Sequence, residues 1–203
     1  MFIQSLKYPF EHTIIYDVFE DTQVTSLIKE AKSISEKYDH KAAIDLLKND
    51  KTKHDEDKKH NVDVIKDYNT KVFELANVAP EGVIRNLCWN IPKLFFLNSI
   101  EKTYLTNYFY GLSRDRVFFQ FYENGASYPS HRDLTTLSAV YIFYNDAKSI
   151  IKGGKFKFDD YNYEPHLLHN SCILFPGWAK HSVSELTCDA NNFRISVYQA
   201  FSI

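Results

Sequence analysis

Between positions 21 and 36 the apolar residues fall three and four apart, and Val24, Leu27, Ile28, Ala31 and Ile34 share one face of a helix. Asp21 stands where an acceptor would cap the first turn. A face of this kind is expected to pack on a core. The same spacing recurs at Ile65, Tyr68, Val72, Leu75 and Ala76 and predicts a second helix. Before it, Lys48 to Asn61 is dense in Lys, Asp and Glu. Mixed signs cancel within a Debye length, so this segment reads as a solvated, mobile connection rather than a partner-binding element. Ahead of the first helix, Ile14, Ile15, Tyr16, Val18 and Phe19 form a β-branched and aromatic run expected to be an early strand. Pro80 and Gly82 break the helical pattern. From Ile91 to Gly111 the chain is rich in aromatics without clean periodicity, and helix is its default assignment.

From Val117 the texture changes. Val117 to Tyr122, Leu137 to Tyr144, Lys155 to Phe158, Ser171 to Phe175 and Phe193 to Phe201 are short runs of β-branched and aromatic residues. Turn signals separate them: Asn124-Gly125, Asn145-Asp146, Gly153-Gly154, Asp159-Asp160, Pro176-Gly177 and Asp189 to Asn192. No pattern of helical length intervenes, so antiparallel strands are expected without crossover helices. The fold class is α+β. One domain is expected over residues 1–203, mainly helical to residue 112, with a jelly roll or related β-barrel over 113–203. There is no internal repeat.

Composition narrows the function. At 44% hydrophobic and 16% aromatic, 203 residues fill one sizeable core. Lys and Arg number 24 against 26 Asp and Glu, a balance that gives no reason to expect nucleic acid or an anionic membrane as partner. Cys88, Cys172 and Cys188 are odd in number and without short paired spacing, against a disulfide framework or a Cys-rich zinc site. Met1 to Phe10 holds no apolar core of signal-peptide length, and no stretch approaches the ~20 apolar residues of a membrane span. The expectation is a soluble cytoplasmic protein.

The residues that suggest chemistry are His131, Asp133, His181 and Arg194. In an extended segment residues i and i+2 point the same way, so His131 and Asp133 can place an imidazole nitrogen and a carboxylate oxygen on one ion, with Arg132 facing away. His181 from a distant strand would complete a 2-His-1-carboxylate face, leaving positions open for further ligands. An H-x-D pair is weak evidence taken alone. Arg194 adds to it. In Phe193 to Phe201 the alternation sets Arg194, Ser196 and Tyr198 on one face, where a core strand would be apolar. A buried Arg needs an anion. That anion is either a protein carboxylate in an internal ion pair or a dicarboxylate ligand gripped bidentately, to which Ser196 could add a hydroxyl donor.

These landmarks, taken in order, resemble the 2-oxoglutarate and Fe(II)-dependent oxygenases, in particular the prolyl 4-hydroxylase-like branch. Tyr122-x-x-Gly125, His131-x-Asp133, Tyr144-Asn145, Gly153-Gly154-Lys155-Phe156, Phe175-Pro176, His181 and Arg194-x-Ser196 follow the order of that branch, and Ile14 to Ile34 is similar to its N-terminal strand and helix. The resemblance covers most of the chain outside roughly residues 37 to 110. It implies a double-stranded β-helix, Fe(II) on His131, Asp133 and His181, and 2-oxoglutarate held by Arg194 and decarboxylated to succinate as a C–H bond is hydroxylated. It also implies ascorbate as a reductant. Tyr122 and Tyr141 are the tyrosines it points to near the co-substrate, and each also reads as a core aromatic with a tethered hydroxyl. Halogenating relatives lack the carboxylate, so an intact Asp133 implies hydroxylation. The connection from His181 to Arg194 is longer than usual in the branch, with Cys188 to Asn192 as an extended turn.

The remaining histidines show no ligand geometry. His166 and His169 flank Leu167-Leu168 near a Pro and read as surface or rim residues, and His12, His40, His54 and His60 lack ligand-type partners. Gly153-Gly154 has no helix start after it and reads as a tight turn or bulge, not a phosphate loop. The substrate expected is a prolyl residue in a peptide or a free small molecule. A nucleic-acid demethylase of the same fold and a jelly-roll binding module without metal are the competing readings.

Overall fold

The computed structural model describes residues 1–49, 55–88, 105, 111–146 and 151–203. Two N-terminal strands, β1 (Phe2–Leu6) and β2 (His12–Tyr16), lead into α1 (Asp21–Lys37), α2 (His40–Asn49) and α3 (Asp55–Tyr68). Strand β3 (Thr70–Glu74) and the single turn α4 (Leu75–Val78) follow, and residues 83–88 are helical. The rest is β: β4 (Arg114–Tyr122), β5 (Tyr128–His131), β6 (Leu137–Tyr144), β7 (Lys152–Gly153), β8 (Phe156–Phe158), β9 (Ser171–Pro176), β10 (His181–Val183), β11 (Leu186–Thr187) and β12 (Arg194–Ser202). A seven-stranded antiparallel sheet runs β1-β2-β9-β6-β12-β4-β3, beside a three-stranded sheet β5-β10-β8 and a two-stranded ribbon β11-β7.

Side-chain alternation gives the large sheet two different faces. On one, Tyr141 and Phe143 stack against Phe19, just before α1, and Phe73 stacks on Phe119 with centroids 4.8 Å apart. Helix α1 buries Val24, Leu27, Ala31 and Ile34 on this side. Phe175 looks out of the other face and meets Phe156, Phe158 and His181 of the small sheet. The described residues therefore form a jelly-roll-like sandwich of two antiparallel sheets, with helices on the outer face of the larger.

The first helix forms where its periodicity predicts. Its cap is Glu20 rather than Asp21: the Glu20 N–H donates to Gln23 Oε1 at 3.0 Å, and Asp21 occupies the first turn. The second predicted helix is corrected. Helix α3 ends at Tyr68, Asn69 takes a left-handed φ of 53°, and Thr70 to Glu74 become an edge strand paired with β4. Helical spacing across 65–76 spans that break, and the β-branched and aromatic Thr70, Val72 and Phe73 suit a sheet better. The charged connection is corrected as well, since 48–49 close α2 and 55–61 open α3, with 50–54 outside the described residues. The helix assigned to 91–111 also falls outside them, apart from Leu105 and Gly111. The first 112 residues are less purely helical than expected, because β1, β2 and β3 all join the main sheet. His12, read as lying in a helical or charged segment, instead opens β2 and is fully buried.

Asn170 ties the sheet to the start of α1. Its side chain accepts from the Phe19 N–H at 3.1 Å and donates to the Phe19 carbonyl at 2.7 Å, in a left-handed conformation of φ 59°. Removing the amide leaves two buried backbone groups unpaired. Asn170→Ala is expected to destabilise the fold by about 2–4 kcal/mol, read as a lowered urea midpoint at unchanged m-value.

Candidate metal centre

His131 ends β5, His181 begins β10, and the two are direct cross-strand partners with ring centroids 4.2 Å apart. Each ring is set by its own backbone. The Nδ1 atoms lie 2.9 Å from the Pro129 carbonyl and 3.0 Å from the Ala179 carbonyl. A carbonyl only accepts, so in the neutral rings both Nδ1 atoms carry the proton and the lone pairs sit on the Nε2 atoms, the side turned toward Asp133. Asp133, two residues after His131, is fixed by its N–H donating to the Gly177 carbonyl at 3.0 Å. Its Oδ1 is 3.4 Å from His131 Nε2 and its Oδ2 is 3.9 Å from His181 Nε2. Ligand atoms of all three residues lie within 4.8 Å of one another, as one cation requires. Two imidazoles and a carboxylate suit a first-row transition metal.

The flanking residues hold this geometry. Asp159 accepts from Ser130, next to His131, and from Ser182, next to His181, the latter at 2.8 Å. Arg132 faces away, as alternation requires, donating to the Trp178 carbonyl at 3.0 Å and to Asp160 at 2.5 Å. His181 sits between Phe156 and Phe175. That burial is the main cause that lowers its pKa to about 4, against the opposing pull of Asp133, so it is neutral at physiological pH. Burial, the largest influence, would raise the Asp133 pKa, but the contacts with His131 and His181 and the hydrogen bond from the Ser138 hydroxyl together outweigh it and hold the carboxyl below its ordinary value.

Arg194 opens β12, between Tyr122 of β4 and Tyr144 of β6. It is fully buried, and among the described residues none of its three guanidinium nitrogens has a hydrogen-bond partner. The internal ion pair is absent there. The guanidinium lies 4.8 Å from the Tyr122 ring, a cation–π contact, and Gly154 approaches so closely that an added Cβ would stand 3.3 Å from Arg194 Cδ. Ser196 Oγ, two residues on, is also buried and unpartnered. Unpaired buried charge costs several kcal/mol, a cost that an anion beside this pair would offset.

A cavity of about 860 Å³ joins these parts, with His131, Asp133, His181, Tyr122 and Ser196 on its wall. Arg194 stands behind Tyr122 and Ser196 rather than on the wall itself. Of the two tyrosines named from the sequence, the structure brings only Tyr122 here, its hydroxyl donating to Gln120 Oε1 at 3.1 Å. Tyr141 is a correction: its register opposite Val197 and Cys172 places it on the helix face, where it donates to Gln199 Oε1 at 2.9 Å. The sequence reading missed Ser138, which donates to Asp133 Oδ2, and Tyr128, whose ring is 4.9 Å from that of His131. A lone Ser inside the otherwise apolar run 137–144 was the available signal for the first. The long connection to Arg194 holds β11 and a turn clipped by Asn145, which donates to the Asn191 carbonyl and accepts from the Phe193 N–H at 2.8 Å. His166 is exposed and His169 Nδ1 accepts from the Tyr144 N–H, so neither joins the centre.

No family model and no curated protein matches the sequence. Solved structures do match the fold. A Pseudomonas putida prolyl-4-hydroxylase superposes with TM-score 0.61 at 13% identity, covering 95% of this chain and 92% of that one. A viral collagen prolyl hydroxylase from Paramecium Bursaria Chlorella virus-1, solved as a 2OG complex, gives 0.54 at 14% identity over 95% and 96%. NgTET1 in complex with 5mC DNA gives 0.51 at 15% identity over 94% and 71%. At these identities the likeness establishes the fold.

In the unfolded chain His181 takes up a proton near its ordinary value of 6.5, whereas folded it resists protonation to about 4. Between those values the unfolded state binds more protons, so stability falls as pH falls through that window. The expected loss in the metal-free protein is up to about 3 kcal/mol from pH 6.5 to 4. His181→Phe should flatten that part of the denaturation profile, and an unaltered slope would contradict the assignment.

Proposed function

We propose that the protein is an Fe(II)- and 2-oxoglutarate-dependent dioxygenase that hydroxylates a C–H bond in a prolyl residue of a peptide or in a free small molecule. The observation that carries the reading is the unpartnered, buried Arg194 behind the cavity that holds the His131–Asp133–His181 cluster. The three ligands would hold Fe(II), and Arg194 with Ser196 would take the far carboxylate of 2-oxoglutarate. When bound, iron and 2-oxoglutarate supply the oxygen-activating chemistry, with release of succinate and CO2. The fold likeness to two prolyl hydroxylases supports this, and with it a double-stranded β-helix for the sandwich.

The chain's own residues supply position. The backbone bonds at Nδ1 keep both imidazoles in the ligating tautomer, and burial keeps His181 from taking up a competing proton. A charged guanidinium in a dry pocket selects a dianion by charge and by the planar match of its fork to a carboxylate. Tyr122 covers that guanidinium and would turn its hydroxyl toward the same co-substrate. Asp133 keeps the carboxylate that halogenating relatives lack, in favour of hydroxylation. Cys88, Cys172 and Cys188 are all free thiols, in keeping with a reducing setting such as the cytoplasm, where ascorbate would serve as reductant if the centre needs one.

The likeness to NgTET1 favours a second reading, action on a nucleic-acid base. The near-neutral charge, 24 basic against 26 acidic residues, favours the first.

Anaerobic titration with Fe(II) and 2-oxoglutarate is expected to raise a visible charge-transfer band in the native protein. Arg194→Ala should increase the half-saturating 2-oxoglutarate concentration at least about 30-fold, while His131→Ala and Asp133→Ala lose both the band and succinate release. Prolyl peptides or amino acids should stimulate succinate release and 5-methylcytosine DNA should not. The reverse pattern favours the nucleic-acid reading, and no band in the native protein leaves a non-catalytic binding module.

A further inference from the structure

Three hydroxyls stand in line behind the Asp133 carboxylate. Ser138 Oγ is 2.5 Å from Asp133 Oδ2, Thr135 Oγ1 is 3.2 Å from Ser138 Oγ, and the Tyr198 hydroxyl is 3.5 Å from Thr135 Oγ1. They come from separate places in the fold. Ser138 lies on β6 and is fully buried, Tyr198 lies on β12 with its ring stacked on Phe118 at 5.7 Å, and Thr135 lies between β5 and β6. Gly177 packs so tightly there that a Cβ on it would stand 2.1 Å from the Thr135 carbonyl oxygen, so Thr135 has little room to move.

Counting protons fixes the direction of the line. An ionised carboxylate only accepts, so the single Ser138 proton goes to Asp133 Oδ2. The Ser138 oxygen then accepts from Thr135, and the Thr135 oxygen from Tyr198. Every dipole points toward Asp133. With Oδ2 engaged, Oδ1 is the atom left for a cation, on the side of His131 Nε2 at 3.4 Å. The terminal torsion of an Asp is broad and two-fold, so without that bond the carboxylate can swing or chelate with both oxygens and close a position the reaction needs open.

We propose that Tyr198, Thr135 and Ser138 form a hydroxyl relay that positions Asp133 as a one-oxygen metal ligand, with Ser138 the positioning residue in direct contact. The inference rests on the metal-centre part of the proposed function. It assigns Tyr198 a second duty, since its ring lines the cavity while its hydroxyl anchors the relay.

The test is titration of the full-length, metal-free protein with Co(II), followed by its visible ligand-field bands, which report coordination geometry without any turnover. Ser138→Ala should weaken Co(II) binding about 10–100-fold and change the band shape, with the metal-free Tm within a few degrees of native. Ser138→Thr, which keeps the hydroxyl, should restore both, and Tyr198→Phe should weaken binding less than Ser138→Ala. If Ser138→Ala does not fold, Thr135→Val reads the same relay and should also weaken binding and alter the bands. Native affinity and native bands in Ser138→Ala, or in Thr135→Val where that stands in, overturn the relay. Failure of the native protein to bind Co(II) overturns the metal centre itself.

Discussion

The alternation of side chains along β12, held between β4 and β6, is the constraint on which the site depends. Because neighbouring strands share its register, the choice that turns Arg194, Ser196 and Tyr198 one way also turns Tyr122, Gln120 and Phe118 of β4 and Ser138, Val140 and Ile142 of β6 the same way. The opposite parity collects Ile195, Val197, Phe119, Tyr141 and Phe143 under the helices. A one-residue slip would exchange the two sets and place a guanidinium under α1. The apolar demand of the helix face therefore fixes the polar face. The small sheet then needs only to lie across that polar face to bring two histidines over it.

This division explains what could be read from the sequence. Strands β4, β6, β9 and β12 have six to nine residues each, long enough for composition and alternation to show, and all four were visible. The triad was visible because i, i+2 spacing in an extended chain has a chemical meaning, and Arg194 because a charge interrupts an apolar face. Strands β5, β7, β10 and β11 have two to four residues and carry no periodic signal of their own, so only the pairing of β5 with β10 reveals that the histidines are cross-strand partners.

Other features escaped for separate reasons. Tyr141 and Tyr122 look alike in sequence, and only register assigns them to opposite faces. The α3–β3 junction was hidden because apolar residues on both sides of Asn69 happen to keep helical spacing, while the change of conformation rests on one left-handed residue. In the charged segment, sign pattern described solvation and said nothing of backbone conformation, since a helix can present charge to water as readily as a loop does.

Asp159 tethers Ser130 and Ser182 together, and so couples the backbones that carry His131 and His181, the two histidines of the candidate centre. Side chains joined in this way cannot adjust independently to ions of different size. A centre whose shape is set before any ion arrives loses little entropy on loading, and it discriminates poorly among divalent ions that share a radius and a taste for imidazole. By the usual order of divalent affinities, later first-row metals would bind such a rigid cluster more tightly than Fe(II). The identity of the resident metal would then be decided by what the cell supplies, and occupancy by a tighter-binding neighbour would be a standing hazard of the design.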